Sequence, residues 1–318
     1  SSASPACDLY SWGSGVNFQL GTGAVSEQPV PRRVDDVAVA VPTAGGDDTN
    51  TKDKNDEANA NDDASHKRGT KEPCGGVITA SAGKFHSVCA TADGAVYAWG
   101  HGRGGRLGLL IQSVFAGDEA VVRPTRLREF GNSLRAVSVA AGKHHTLVAT
   151  RCGGVFAWGV SRDGCLGYLV GGEEGNNGTE STRWGQSGSS PDRVSSTTSE
   201  DRFVPTPRRV GGALKGIRIV AVAASNRHSA VLSDAGDAYT FGSNAKGQLG
   251  ISLGSTHQHT HQPRRVDLSG KDLSRKTCVG IACAKAHTVA LTADDGVFQW
   301  GHRSWSPRRV DLVSGLVR

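Results

Sequence analysis

Methionine is absent from the 318 residues, and long apolar runs are absent as well. No stretch approaches the roughly 18 consecutive apolar residues that a membrane-spanning helix needs, so we expect no membrane protein. The first residues show no charged segment followed by an apolar core, and no secretory signal is expected. Because methionine is missing even at position 1, we expect a processed product or a fragment of a longer chain.

Cysteine patterning also excludes several classes of protein. The seven cysteines are odd in number and form no C-x-x-C pair, so neither a disulfide framework nor a zinc ribbon is indicated. Reduced thiols fit an intracellular protein, and we expect a cytoplasmic or nuclear location. The net charge of +6 favours a partner with an acidic surface without identifying it.

Glycine is abundant, and it marks an internal repeat. The chain has 43 glycines, against roughly 7% of residues in an average protein, without the period of collagen. Good helix formers other than alanine are sparse, which excludes a helical bundle. An aromatic residue followed by glycine recurs five times, and two of the four steps between these pairs equal 59 residues. The aromatic residues are Trp12, Trp99, Trp158, Phe241 and Trp300, in the pairs 12–13, 99–100, 158–159, 241–242 and 300–301.

Two further motifs keep a fixed distance from the aromatic pair, and a third recurs in each unit at a variable distance. A Leu-Gly pair ends eight residues after the glycine in four units, and a histidine lies thirteen residues before the aromatic residue in four units. A proline followed by basic residues also occurs in each unit. The histidines are His86, His145, His228 and His287, and the proline segments are PRRV at 31–34, 207–210, 263–266 and 307–310, with PTRL at 124–127.

Each unit is predicted to be β-structure. The segment VCATADGAVYAWG (88–100) has two apolar runs about an Asp-Gly turn, which is a strong signal for a hairpin. Proline belongs at the edge or start of a strand, so the proline segment predicts an outer strand. About four short strands in each 59-residue unit predict an all-β fold, a β-propeller of four-stranded antiparallel blades with four to five blades in this chain.

These motifs resemble the regulator of chromosome condensation repeat, a family of seven-bladed propellers. The resemblance covers 9–318 apart from two insertions. Within the family, the segments LYSWGSGVNFQLG and KFHSV…VYAWGHGRGGRLG most resemble the branch that includes the inhibitor of Bruton tyrosine kinase. In that branch the propeller lies between ankyrin repeats and BTB domains, which dock on a cullin-type ubiquitin ligase. The first unit lacks its histidine strand, so we expect an incomplete part of a seven-bladed ring.

The two insertions are predicted to be disordered. Residues 42–73 are polar, densely charged and nearly free of large apolar side chains, and residues 171–203 are rich in glycine, serine and threonine. Neither segment can bury enough apolar surface to offset the entropy lost on ordering.

The repeated histidines are predicted to be structural, because an active site occurs once whereas these occur in four units. We expect neutral, buried imidazoles bonded to backbone groups of their own or a neighbouring blade. The aromatic residues are expected in the blade cores, with each indole N–H bonded to a carbonyl. The run T-H-Q-H-T-H (256–261) is expected to be a polar loop. No catalytic, metal-binding or cofactor-binding residue is predicted, and no cofactor is expected.

The arginines of the proline segments are the candidate partner-binding residues. One arginine of each pair is expected to pack its stem on the blade, and the other to contribute to a basic ring that binds carboxylates or phosphates. They are Arg32, Arg33, Arg126, Arg208, Arg209, Arg264, Arg265, Arg308 and Arg309.

Two functions follow from the resemblance. The first is a non-enzymatic protein-interaction scaffold, such as the propeller of a ubiquitin-ligase adaptor or kinase inhibitor. The second is a guanine-nucleotide exchange factor, with a small GTPase or chromatin as partner. Exchange needs an element that enters the nucleotide site, and no segment here identifies itself as one. The scaffold is therefore favoured, with no enzymatic activity.

Overall fold

The fold is all-β. The computed structural model describes residues 8–38, 76–109, 120–170, 182–183, 202–253, 258–269 and 276–310. Within these ranges the regular structure other than strands consists of 3₁₀ turns at Asp35–Ala38, Arg103–Gly105 and Gly212–Leu214. The predicted disordered segment 42–73 lies outside the described residues. The same holds for 171–203, apart from 182–183 and 202–203, which lie in strands.

The strands form five antiparallel sheets, numbered here in chain order. Sheet 1 pairs β1 (Tyr10–Gly13) with β2 (Gln28–Arg33). Sheet 2 contains β3 (Val77–Ala82), β4 (His86–Thr91), β5 (Val96–His101) and β6 (Ala120–Arg126). Sheet 3 contains β7 (Ala136–Ala141), β8 (His145–Thr150), β9 (Val155–Val160), β10 (Thr182–Arg183) and β11 (Arg202–Arg209), in the order β7-β8-β9-β11-β10.

Sheets 4 and 5 repeat the four-stranded arrangement in chain order. Sheet 4 contains β12 (Ile219–Ala224), β13 (His228–Ser233), β14 (Ala238–Ser243) and β15 (His259–Arg265). Sheet 5 contains β16 (Cys278–Ala284), β17 (His287–Thr292), β18 (Val297–Gly301) and β19 (Ser304–Val310). These sheets have the strand number and antiparallel order of propeller blades, as predicted.

The predicted hairpins are confirmed between the second and third strands of sheets 2 to 5, with an Asp-Gly pair in the turns of sheets 2 and 5. Gly94 has a φ of 83° and Gly236 one of 77°, a left-handed conformation that glycine adopts without strain. In sheet 5 the preceding Asp295 takes the positive φ, at 57°. Aspartate tolerates this region better than most residues, which explains how the Asp-Asp-Gly turn keeps the hairpin.

The strand register places the histidine and aromatic residues at the same positions in sheets 2 to 5. His86 lies opposite Gly100, and the same pairing of histidine with the glycine after the aromatic residue occurs in sheets 3, 4 and 5. Trp99, Trp158, Phe241 and Trp300 are all buried. Trp12 has the same neighbouring glycine conformation, but 60% of its surface is exposed because β1 has no histidine strand beside it among the described residues.

The first strands of neighbouring sheets lie side by side, β3 beside β7, β7 beside β12 and β12 beside β16, so they form the centre of the propeller. Gly142 shows how closely they approach: a Cβ atom there would lie 2.5 Å from the Ser225 carbonyl oxygen on the next sheet. Apolar side chains of successive sheets fill the space between them. The proline segments form the fourth strands of sheets 2 to 5, far from this centre, and in sheet 3 the short β10 pairs with the outer edge of the fourth strand.

The two terminal sheets expose apolar side chains. Tyr10 and Val30 of sheet 1 and Val279 and Leu291 of sheet 5 are exposed. Blades of a propeller bury their faces against neighbours, so each of these two sheets has a face that no described residue covers. No helix in the described ranges is long and apolar enough to cross a membrane.

Candidate functional site

The repeated histidines connect neighbouring sheets. Three of the four donate from Nε2 to the hydroxyl of the residue that follows the histidine of the next sheet, a partner 60 or 84 residues away. The partner is therefore a side chain, whereas the sequence predicted a backbone group. The three bonds are His86 to Thr146 at 2.7 Å, His145 to Ser229 at 2.9 Å and His228 to Thr288 at 2.9 Å.

The same hydroxyls donate back to the previous sheet. Thr146 donates to the carbonyl of Arg106, and Ser229 donates to that of Cys165, each at 2.7 Å. Because each hydroxyl hydrogen is directed to a carbonyl, its lone pair accepts the Nε2–H of histidine. Nδ1 of His86, His145 and His228 has no partner among the described residues, which agrees with the neutral Nε2–H tautomer.

Burial keeps these imidazoles neutral. It lowers the pKa of His145 to about 4 and that of His228 to about 3, with His145 and His287 adding to the shift at His228. The pKa of His86 is also lowered well below its usual value, first by burial and then by the positive charge of Arg106. These residues contact one another across sheet boundaries and have no access to solvent, so the prediction of a structural role fits their geometry.

The aromatic residues behave as predicted in two sheets. The indole N–H of Trp99 donates to the Gln19 carbonyl at 2.8 Å, and that of Trp158 donates to the Arg106 carbonyl at 3.0 Å. Trp300 is equally buried, but its N–H has no partner within the described residues. His287 also differs from the other histidines: its Nδ1 lies 3.0 Å from Nε2 of His302 on its own sheet.

The candidate arginines lie on the outer strands β2, β6, β11, β15 and β19. The second arginine of each pair occupies one register position, opposite an aromatic residue of the third strand. The positions predicted to form a basic ring therefore lie on the strands far from the propeller axis. Its members at this position are Arg33, Arg126, Arg209, Arg265 and Arg309.

Two of these second arginines are held by carboxylates. Arg265 pairs with Asp237 at 2.8 Å, and Arg33 pairs with Asp8 at 3.3 Å. Among the first arginines, Arg208 lies 4.8 Å over the ring of Tyr168. Arg32, Arg264 and Arg308 are exposed. The first and second arginines of a pair therefore have different surroundings, and those of the second position are partly neutralised.

A second set of cations lies at the propeller axis. Lys84, Lys143 and Lys285 each lie two residues before the histidine of their unit, where the chain leaves the first strand, and Asn226 has this position in sheet 4. All four line one cavity of about 420 Å³, whose other lining residues are small, such as Gly83 and Ser225. We call these four residues the axial row.

The surroundings of the axial row are strongly positive. Burial lowers the pKa of Lys143, and the nearby charges of Lys84, Arg162, Arg106 and Lys285 lower it further. Burial also lowers the pKa of the adjacent His144 to about 3, again with cations adding to the shift. Within the described residues, none of the three lysines forms an ion pair.

Sheet 4 differs from its neighbours at the same height. Its axial residue Asn226 is neutral, and the following Arg227 donates to Asp163 at 3.2 Å. The described part of the propeller therefore presents three uncompensated ammonium groups, with one neutral amide and one satisfied ion pair between them.

Sequence reasoning did not assign a role to the axial lysines. The stretches ASAGKF, AAGKH, AASNR and ACAKA precede the four repeated histidines, and three of the four contain lysine two residues before the histidine. That offset is the signal that could have found the axial row, because equivalent positions of a propeller converge around one axis.

Other candidate chemistry is limited. His259 and His261 lie in strand β15 with ring centroids 5.2 Å apart, so the polar loop predicted for this run is wrong for these two residues. In the described ranges, no group of three His, Cys, Asp or Glu side chains could hold a metal ion. The axial row thus offers anion binding as its chemistry and lacks a nucleophile paired with a base.

Among curated proteins, the chain is similar to ubiquitin ligases of the HERC group. It is 33% identical over 241 residues to E3 ubiquitin-protein ligase HERC2 of Homo sapiens, which is 71% of this chain and 4% of that protein. It is 31% identical over 249 residues to the probable E3 ubiquitin-protein ligase HERC6 of Homo sapiens, which is 74% of this chain and 20% of that protein. The chain thus spans a fifth or less of the length of these relatives.

Solved structures share the fold. Human WBSCR16 superposes with a TM-score of 0.61 at 20% identity, over 95% of this chain and 62% of that one. Yeast RCC1 (Prp20), solved with Kap60 bound to it, gives a TM-score of 0.61 at 17% identity, over 97% of this chain and 58% of that one. At these identities the likeness establishes the propeller fold alone.

Family profiles match the repeats directly. One profile of the regulator of chromosome condensation (RCC1) repeat matches residues 8–48, 93–149 and 235–291, and a second matches 77–106 and 219–248. Together they cover more than half of the chain, and they include the four repeated histidines and the aromatic residues Trp12, Trp99 and Phe241. The chain therefore belongs to the regulator of chromosome condensation (RCC1) repeat family.

Proposed function

We propose that this chain is a non-enzymatic scaffold that recognises a protein partner with an acidic surface. The observation that carries the proposal is the axial row, where Lys84, Lys143 and Lys285 line one cavity without ion pairs among the described residues. Uncompensated cations favour an anionic partner and accelerate its association. The HERC relatives are ligases of which the matching region is a fifth or less, so the proposal treats this propeller as a recognition module within a larger protein.

The finer assignment is a propeller that recruits partners to a ubiquitin ligase. The HERC relatives, whose names describe ubiquitin ligases, support this assignment. The likeness to the branch of the Bruton tyrosine kinase inhibitor rests on the two sequence segments alone. The expectation of neighbouring ankyrin and BTB domains rests on the same two segments. Sequencing of the complete parent gene tests both versions: a ligase domain favours the first, and ankyrin and BTB segments favour the second. Cytoplasmic or nuclear location belongs to the same proposal.

A guanine-nucleotide exchange factor is the second candidate. It is favoured by the shared fold with yeast Prp20p, whose solved structure is described together with its binding to Gsp1p and histones. At 17% identity, this similarity establishes the shared fold and assigns no residue of this chain to an exchange site. The axial lysines could also attract an acidic GTPase, so charge does not separate the two candidates.

An exchange assay separates them. Release of a fluorescent GDP analogue from Gsp1p is followed with and without the chain, with Prp20p as the positive control. A scaffold leaves the release rate unchanged within twofold, because binding alone does not displace the nucleotide. Acceleration by tenfold or more would overturn the proposal in favour of exchange activity.

A further inference from the structure

The axial row has the geometry of a linear binding site. Its four residues come from four successive sheets, so they follow an arc around the propeller axis. Lys84 and Lys285 are exposed and Lys143 is half-buried, which leaves the ammonium groups accessible to a ligand. A row of accessible cations on successive blades suits an extended ligand better than a single compact ion.

Glycine and other small residues line the cavity, so the backbone of a bound segment can approach its walls closely. Gly83 and Gly142 lie at the ends of first strands, and a Cβ atom at Gly83 would lie 2.3 Å from the Gly142 carbonyl oxygen. Ser225 and Asn226 add a hydroxyl and an amide that can bond to a peptide backbone. A volume of about 420 Å³ accommodates a few side chains of a bound segment.

Lys143 lies in a positive environment within the row. After burial, the charges of Lys84, Arg106 and Lys285 are among the causes that lower its pKa, and no carboxylate of the described residues pairs with it. A ligand with several carboxylates supplies the opposing charge. Lysine ammonium groups bind such carboxylates as point charges, without the planar pairing that arginine provides.

We infer that Lys84, Lys143 and Lys285 bind an extended acidic segment of a partner protein, with its carboxylates on successive lysines and its backbone against Asn226. The inference rests on the proposed scaffold function and names its site and ligand. It also predicts that the outer arginines are secondary, because the second arginine of a pair is neutralised at Asp237 and at Asp8.

The test measures binding of a fluorescein-labelled octaglutamate peptide to the full chain by anisotropy, at low and physiological salt. Substituting Lys84→Gln, Lys143→Gln and Lys285→Gln together should weaken binding at least tenfold and flatten its salt dependence. A matched variant, Arg32→Gln, Arg264→Gln and Arg308→Gln, removes the same charge from exposed outer sites. It should weaken binding less than twofold.

A gain of affinity provides a check that loss of folding cannot imitate. Asn226→Lys completes the row with a fourth cation and should tighten peptide binding at least threefold. If Lys143→Gln lowers the melting temperature of the triple variant, the double variant of the exposed Lys84 and Lys285 replaces it, with an expected loss of at least threefold.

Three results would overturn the inference. Equal losses in the lysine and arginine variants would mean that net charge alone attracts the peptide. Unchanged affinity in Asn226→Lys would mean that the peptide lies elsewhere. Tighter binding of inorganic tripolyphosphate than of octaglutamate, in competition, would assign the row to a compact phosphate. If peptide binding depends on the outer arginines and not on the axial lysines, the inferred site is wrong but the proposed scaffold function stands. If no acidic peptide or protein binds, both the inferred site and the proposed function are wrong.

Discussion

Removing one hydroxyl between sheets 3 and 4 tests whether the histidine network stabilises the propeller. Ser229 accepts from His145 and donates to the Cys165 carbonyl, and both partners are buried. Ser229→Ala deletes both bonds while removing a single oxygen atom. The imidazole cannot compensate by changing tautomer, because its Nδ1 also has no acceptor within the described residues.

The expected loss follows from the two groups left without partners. A buried donor or acceptor without a hydrogen bond costs about 1–3 kcal/mol. The Nε2–H of His145 and the carbonyl of Cys165 are both affected, so the free energy of unfolding should fall by about 2–4 kcal/mol. Ser229→Thr keeps the hydroxyl, and threonine has this position in sheets 3 and 5, so this variant should lose less than about 1 kcal/mol.

Sheet 2 supplies a matched control. Ser87 has the same place in its unit and donates to the Gln19 carbonyl at 2.8 Å, but no described histidine donates to it. That carbonyl also accepts from Trp99, so it keeps a partner after Ser87→Ala. The control should cost about 1 kcal/mol. Urea denaturation followed by tryptophan fluorescence, with the m-value compared between variants, measures each loss. Equal losses for Ser229→Ala and Ser87→Ala would refute the role of the histidine bond.

Three other outcomes are expected from the same denaturation measurement. Burial lowers the pKa of His145 and His228, so the unfolded chain binds more protons than the folded chain at acid pH. The free energy of unfolding should therefore be highest above pH about 6.5. It should fall by about 1.4 kcal/mol per pH unit for each histidine as the pH drops towards 4. Gly142→Ala should destabilise through its clash with the next sheet, whereas Gly211→Ala, with open space around its Cβ, should not. Arg265→Glu should reduce stability by facing Asp237, whereas Arg264→Glu should change it by less than about 0.5 kcal/mol.

Positions that recur at fixed offsets were predictable from the sequence. Trp158, for example, has a histidine thirteen residues before it and a Leu-Gly pair after it. The aromatic residues thirteen residues after a repeated histidine have the same register as Trp158 in sheets 2 to 5. Hairpins were predictable for the same reason, since an Asp-Gly pair between apolar runs encodes its own turn. Such features depend on residues close together in the chain, and the repeat provides several independent copies of each.

Features that depend on neighbouring sheets were not predictable. The acceptor for His86 is Thr146, 60 residues away, and nothing near His86 in the sequence identifies it. The distance of a residue from the propeller axis is equally hidden in the sequence. The repeat indicated equivalent positions for the arginine pairs, but only the sheet order locates these positions far from the axis. The axial lysines were missed for the same reason. Only the order of strands in each sheet shows that the first strands, which these lysines follow, lie at the axis.

Repetition separates structural from functional positions in this propeller. A residue that stabilises the contact between sheets must repeat, because each contact has the same geometry, and the hydroxyl beside each histidine does so as serine or threonine. A recognition site has no such requirement, and its positions can differ between sheets. The axial row changes from lysine to Asn226 in sheet 4, where Arg227 is neutralised by Asp163, while the histidine two residues later keeps its hydrogen bond to sheet 5. The charge of the axial row thus varies between sheets while the histidine bonds beneath it repeat. This combination is what we expect of a surface that recognises one particular pattern of charges on a partner.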